Sequence, residues 1–131
     1  MNAEYIIENI DFASRTWVFV FPLILMVLDF ATGILNAYKR NEIKSSKMRE
    51  GLIKKFGELV ILIIGELIVF GTNVPAKNEI MSFLSIYISV MELISITENL
   101  VLLGVPLPAF IVKALHVTAE ALDGSKDKEE G

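Results

Sequence analysis

Five carboxylates, Asp29, Glu58, Glu66, Glu92 and Glu98, stand inside stretches otherwise rich in leucine, isoleucine, valine and phenylalanine, with no lysine or arginine in the same stretches. An ionised side chain at the centre of a membrane helix costs about 2.5 to 3.5 kcal/mol, so such groups must be packed against protein, reached by water, or protonated. At about 100° per helical residue the polar groups fall into stripes. Asp29, Thr32, Gly33, Asn36 and Arg40 share one side of the first stretch, and Glu58, Glu66 and Asn73 one side of the second. Ser82, Ser85, Ser89, Glu92, Ser95 and Asn99 cover a broader side of the third, with Glu98 just past its edge. The chemistry open to these groups is intramembrane polar contact, ion handling or proton handling.

Other chemistry is excluded or unsupported. Cysteine is absent, which removes disulfides, thiolate metal sites and cysteine nucleophiles. The single histidine, His116, has no accompanying ligand cluster and reads as an interfacial side chain. No phosphate-cradling glycine loop, nucleophile elbow or metal-ligand spacing is present. No enzyme activity, cofactor or metal is expected.

The elements that must position the stripes follow from hydropathy. With 53% hydrophobic residues and a mean hydropathy of +0.57, the apolar residues come in blocks: Trp17 to Tyr38, Phe56 to Val74 and Ile80 to Leu103. About 20 helical residues cross a hydrocarbon core of roughly 30 Å. The expectation is an all-α integral membrane protein with three transmembrane helices and a C-terminal amphipathic helix. Residues 1–16 form an N-terminal interfacial segment carrying Tyr5, Ile6, Ile10 and Phe12, with no cleavage signal, so the first span is retained. The membrane domain covers 17–104, an amphipathic helix with Leu107, Ile111, Leu115, Thr118 and Leu122 on one face covers 105–122, and a disordered charged tail covers 123–131.

Charge sets the orientation. The net charge is −4, yet Lys39, Arg40, Lys44, Lys47, Arg49, Lys54 and Lys55 set seven positive charges against Glu42 and Glu50 in the loop 39–55. Positive residues in short loops stay in the cytoplasm, which places the N-terminus outside and the C-terminus inside. The same residues read as an anchor for anionic lipid headgroups rather than for nucleic acid. Ser45 and Ser46 suit the cap of a helix running from Lys47.

The stripes admit two arrangements. Three helices can turn them toward one another in a closed monomer, or sister copies can bury them between subunits and later line water with them. Self-assembly is the sharper expectation, since three spans enclose little interior.

The string DFATGILNAYKRNEIKSSKMREGLIKK, from Asp29 to Lys55, resembles the opening signature of the phage lysis and toxin-secretion holin family. Asp29, Thr32-Gly33, Ala37, the basic run, Ser45-Ser46, Gly51 and Lys54-Lys55 carry that likeness. ELISITENLVLLGVPLP is similar to the family's second block, through Glu92, Ser95, Glu98-Asn99, Gly104 and Pro106-Leu107-Pro108. The second span departs from the pattern, with Gly65-Glu66 and Gly71-Thr72-Asn73 where an acidic end is common. The resemblance implies a bacterial inner-membrane protein that homo-oligomerises and opens a lesion through which a murein hydrolase or a toxin leaves the cell. A selective ion or proton channel, or a non-permeabilising antiholin or adapter, is the alternative.

Overall fold

The structure, a computed structural model, describes residues 3–41 and 44–124, with side chains from residue 16 onward. The chain is all-helical over these residues: α1 (Ala3–Lys39), α2 (Ser45–Gly71), α3 (Lys77–Leu102) and α4 (Ala109–Asp123). The side chains of the N-terminal interfacial segment, and the tail from 125, lie outside the described residues.

Helix α1 runs through the expected junction near residue 16 without a break, and Pro22 sits inside it, fully buried. Its end is set by Asn41, whose φ of 55° is one that asparagine tolerates better than most side chains. Helix α2 starts at Ser45 rather than at Lys47, with Lys44 in the cap position and no side-chain cap hydrogen bond. Lys47, Arg49, Lys54 and Lys55 therefore lie on the first turns of a helix, and the connecting loop is short.

The second apolar run is helical only as far as Gly71. Thr72 is extended, its hydroxyl donates to the Ile68 carbonyl at 2.7 Å, and Pro75 disfavours helix in the residue before it. Two helical stretches, Thr16–Lys39 and Lys77–Leu102, are long and apolar enough to cross a membrane. The apolar part of α2, from Phe56 to Gly71, covers roughly 24 Å at 1.5 Å per residue, short of a hydrocarbon core unless its basic end enters too.

Helices α1 and α3 run in the same direction and pack along their length, with α2 antiparallel against α3. Helix α3 holds the assembly together, since α1 and α2 meet each other at few points. Met26, Leu62, Met81 and Ile88 form the buried core, flanked by Val18, Phe19, Leu23, Val69 and Tyr87. Gly65 lets α2 and α3 approach closely there: a Cβ at that position would stand 2.5 Å from the Met81 sulfur and 3.4 Å from Leu84 Cδ1, so the buried Met81 side chain would have to shift. Much of the outer surface is apolar, including Phe56, Leu67 and Phe70 on α2.

Helix α3 ends on Gly104 at φ 94°, with Val105 N–H donating to Leu100 O at 2.9 Å and Gly104 N–H to Val101 O at 3.0 Å. This paired closure needs a left-handed residue, which glycine supplies without a Cβ clash. The Lys39 ammonium donates to the Leu103 carbonyl at 3.1 Å, so a cation meets the negative end of α3 and ties it to the end of α1. Helix α4 packs back on α3. Its partly covered stripe is Val112, Leu115, Ala119 and Leu122, about one residue round from the expected face, while Phe110, Ile111 and Val117 stay exposed.

Candidate functional site

The polar stripes of α1 and α3 meet inside one chain. Asn99 Nδ2 donates to Asp29 Oδ1 at 3.0 Å, to Thr32 Oγ1 at 3.0 Å and to the Asp29 carbonyl at 3.3 Å, while the Thr32 hydroxyl donates to the Leu28 carbonyl at 2.9 Å. Gly33 lies beside the same amide, where an added Cβ would be 3.7 Å from Asn99 Nδ2. Ser95 lines the same cleft as Asp29 and Asn99.

The counter-ion comes from the basic segment. Lys55 Nζ lies 2.7 Å from Asp29 Oδ2 and 2.8 Å from Glu92 Oε2, making one ammonium the hub of three helices. The side chains are 16% exposed for Lys55, 12% for Asp29 and 2% for Glu92, so the cluster is screened from solvent rather than part of the surface. Burial by itself works against the Lys55 ammonium, and the two carboxylates beside it offset that cost. Charge-assisted hydrogen bonds of this kind are about twice as strong as neutral ones. Lys55 counts as part of the basic loop in sequence order, yet it points inward.

Glu58 lies one turn beyond Lys55 on α2, and its Oε2 is buried without a hydrogen-bond partner. Asn36 Oδ1 and Ser89 Oγ are likewise buried and unpartnered. Ser85 and Ser89 are buried on α3 beside a cleft shared with Trp17 and Phe21. These groups retain unused hydrogen-bonding capacity inside the packed core, which is uncommon in native interiors.

The remaining predicted residues stand apart from the cluster. Glu66 borders an open groove between α1 and α2 with Phe19, Ile63 and Phe70. Glu98 is exposed and faces the junction with α4, near Val101 and Val112. Of the basic residues, Lys39 caps α3, Lys55 enters the cluster, and Arg40, Lys44, Arg49 and Lys54 are exposed at the same end of the bundle, with Lys47 beside them. No group of His, Asp and Glu among the described residues is arranged to hold a metal ion.

A buried ion-paired cluster on the facing sides of apolar helices can keep those helices packed. Its loss would leave polar faces to be satisfied elsewhere. The sequence profile described as the bacteriophage holin family matches residues 7–120. A protein of Bacillus phage phi105 described as "Probable holin" is 29% identical over 109 residues, covering 82% of this chain and 78% of the phage protein. An uncharacterised protein of Clostridium perfringens is 32% identical over 108 residues, covering 76% of this chain and 78% of its own length. A Bacillus subtilis protein is 27% identical over 106 residues, 80% and 74% of the two chains. No solved structure matches the chain. With a profile match running from the first turns of α1 to the last of α4, the chain belongs to the bacteriophage holin family.

Proposed function

We propose that this protein is a holin that homo-oligomerises in the bacterial inner membrane and opens a lesion for a murein hydrolase or a toxin. The family match over residues 7–120 carries the reading. The role is non-enzymatic, and membrane lipids and further copies of the chain are its direct partners. In this reading α1, α2 and α3 all cross the bilayer, with the N-terminus outside and the basic end of the bundle in the cytoplasm. Neutralisation of Lys55 by Asp29 and Glu92 lets the start of α2 enter the membrane and lengthens its short apolar run.

The isolated subunit is then a closed state. Asp29, Thr32, Glu92, Ser95 and Asn99 satisfy one another through α1–α3 contact and Lys55, which offsets the cost of placing them in lipid. Assembly turns the same faces toward water or toward sister subunits. Asn36, Ser89 and Glu58, which hold unpartnered buried atoms, are the groups that gain contacts when the packing opens. The membrane potential acts at about 2.3 kcal/mol per elementary charge per 100 mV, so motion of one charge of the cluster across part of the field biases the equilibrium.

Inducible expression of the full chain in a bacterium tests this. A holin halts growth abruptly after a delay, and lyses the cells when a cytoplasmic murein hydrolase is co-expressed. Continued growth at full membrane accumulation would exclude permeabilisation and leave the adapter reading.

A further inference from the structure

At the basic end of the bundle, α1 and α2 diverge and leave a cleft of about 320 Å³, within the range of small-molecule sites of roughly 300 to 1,000 Å³. Its walls are apolar, with Phe30 and Ile34 from α1 and Met48 from α2. Gly51 also lines it, with nothing within 4 Å of where its Cβ would stand, so a larger side chain there has room to enter the cleft. The floor is the cluster already described, in which Lys55 is matched by two carboxylates. The mouth is different. Lys44 and Lys47 line it, and neither has an anionic partner among the described residues.

The backbone at the mouth adds to that excess. Lys44 caps α2 without a side-chain hydrogen bond to its free N–H groups, and the first turn holds no acidic residue. Lysines at the positive end of a helix are unfavourable unless an anion is supplied from outside. The cleft therefore combines a positive rim, a floor in which one ammonium sits between two carboxylates, and apolar walls, at the end of the bundle that carries the basic residues. We infer that it binds one anionic phospholipid, with the phosphate against Lys44, Lys47 and the start of α2, and the first part of an acyl chain along Phe30, Ile34 and Met48. Basic pockets between membrane helices recognise lipid headgroups in this way. The inference rests on the membrane reading of the chain, not on which leaflet faces the basic end or on lesion formation.

The test uses the full-length protein, delipidated in a neutral detergent, with native mass spectrometry reading bound lipid. Phosphatidylglycerol, phosphatidylcholine and inorganic phosphate are titrated separately. One phosphatidylglycerol per subunit is expected to bind saturably, at least tenfold more tightly than phosphatidylcholine, and inorganic phosphate at equal concentration is expected not to displace it. Lys44→Gln with Lys47→Gln should weaken this binding roughly tenfold or more, whereas Lys54→Gln, exposed outside the cleft, should not. Gly51→Leu, which fills the cleft and leaves every lysine in place, should also weaken it.

Equal binding of the two lipids, or equal effects of Lys54→Gln and the double variant, would overturn the inference in favour of diffuse surface charge. Displacement by inorganic phosphate would make it a phosphate site without a lipid. A change in subunit number, rather than in lipid retention, for the Gly51→Leu variant would make the cleft a contact between copies. Because bound lipid is counted on detergent-held protein, loss of lipid preference with permeabilisation intact removes this inference alone.

Discussion

Replacing Lys55 by methionine removes the one cation that, among the described residues, pairs with Asp29 and Glu92, and keeps the apolar stem of the side chain. Taking one partner from a buried ion pair costs about 3–5 kcal/mol, because the remaining charge is left without compensation. Here Asp29 keeps its hydrogen bond from Asn99, and Lys55 and Asp29 retain some exposure, so the lower end applies. A loss of about 3 kcal/mol shifts the folding equilibrium by more than a hundredfold. Loss of helical ellipticity on titrating dodecyl sulfate into detergent-solubilised protein reads this directly. Lys55→Met should unfold at a clearly lower mole fraction of dodecyl sulfate than the parent, and Lys54→Met, one residue away and exposed, should match the parent. Adding Asp29→Asn and Glu92→Gln to Lys55→Met should recover most of the loss, since the buried charges are then gone. If Lys55→Met and Lys54→Met unfold together, Lys55 is not the hub of the cluster.

Gly65→Leu should separate α2 from α3 and cost several kcal/mol in the same titration, whereas Gly57→Leu, with nothing within 4 Å, should change it little. Ala76 caps α3 at φ 60°, a left-handed conformation that a Cβ disfavours, so Ala76→Gly should stabilise the fold by about 1 kcal/mol, read as a higher dodecyl sulfate midpoint.

Helical spacing alone brings much of the cluster into view. Asp29 and Thr32 lie one turn apart on α1, and Glu92, Ser95 and Asn99 repeat at intervals of three and four on α3, so each set shares a face whatever the tertiary fold. That the two faces meet each other within one chain is a tertiary fact that spacing leaves open. By sequence Lys55 belongs with the anchor, because it borders a run of basic residues. Its four-carbon stem carries the ammonium along the helix into the core, and the legible signal is Glu58, one turn further on the same face. Glu66 and Glu98 share the residue type but not the direction: Glu98 already lies past the edge of the α3 stripe, and one residue of rotation carries it outside. The basic loop shrinks because Ser45 can begin a helix without a side-chain cap. The shift of the covered face of α4 depends on how it docks against α3, which amphipathic spacing cannot specify.

The most direct measurement of lesion formation is solute release from liposomes holding the purified full chain at graded protein-to-lipid ratios, with a small dye and a folded protein trapped together. Holin action predicts that both are retained at low density and escape together above a threshold ratio, which Lys55→Met should shift. Passage of ions or protons alone at every density, with the trapped protein always retained, would contradict it.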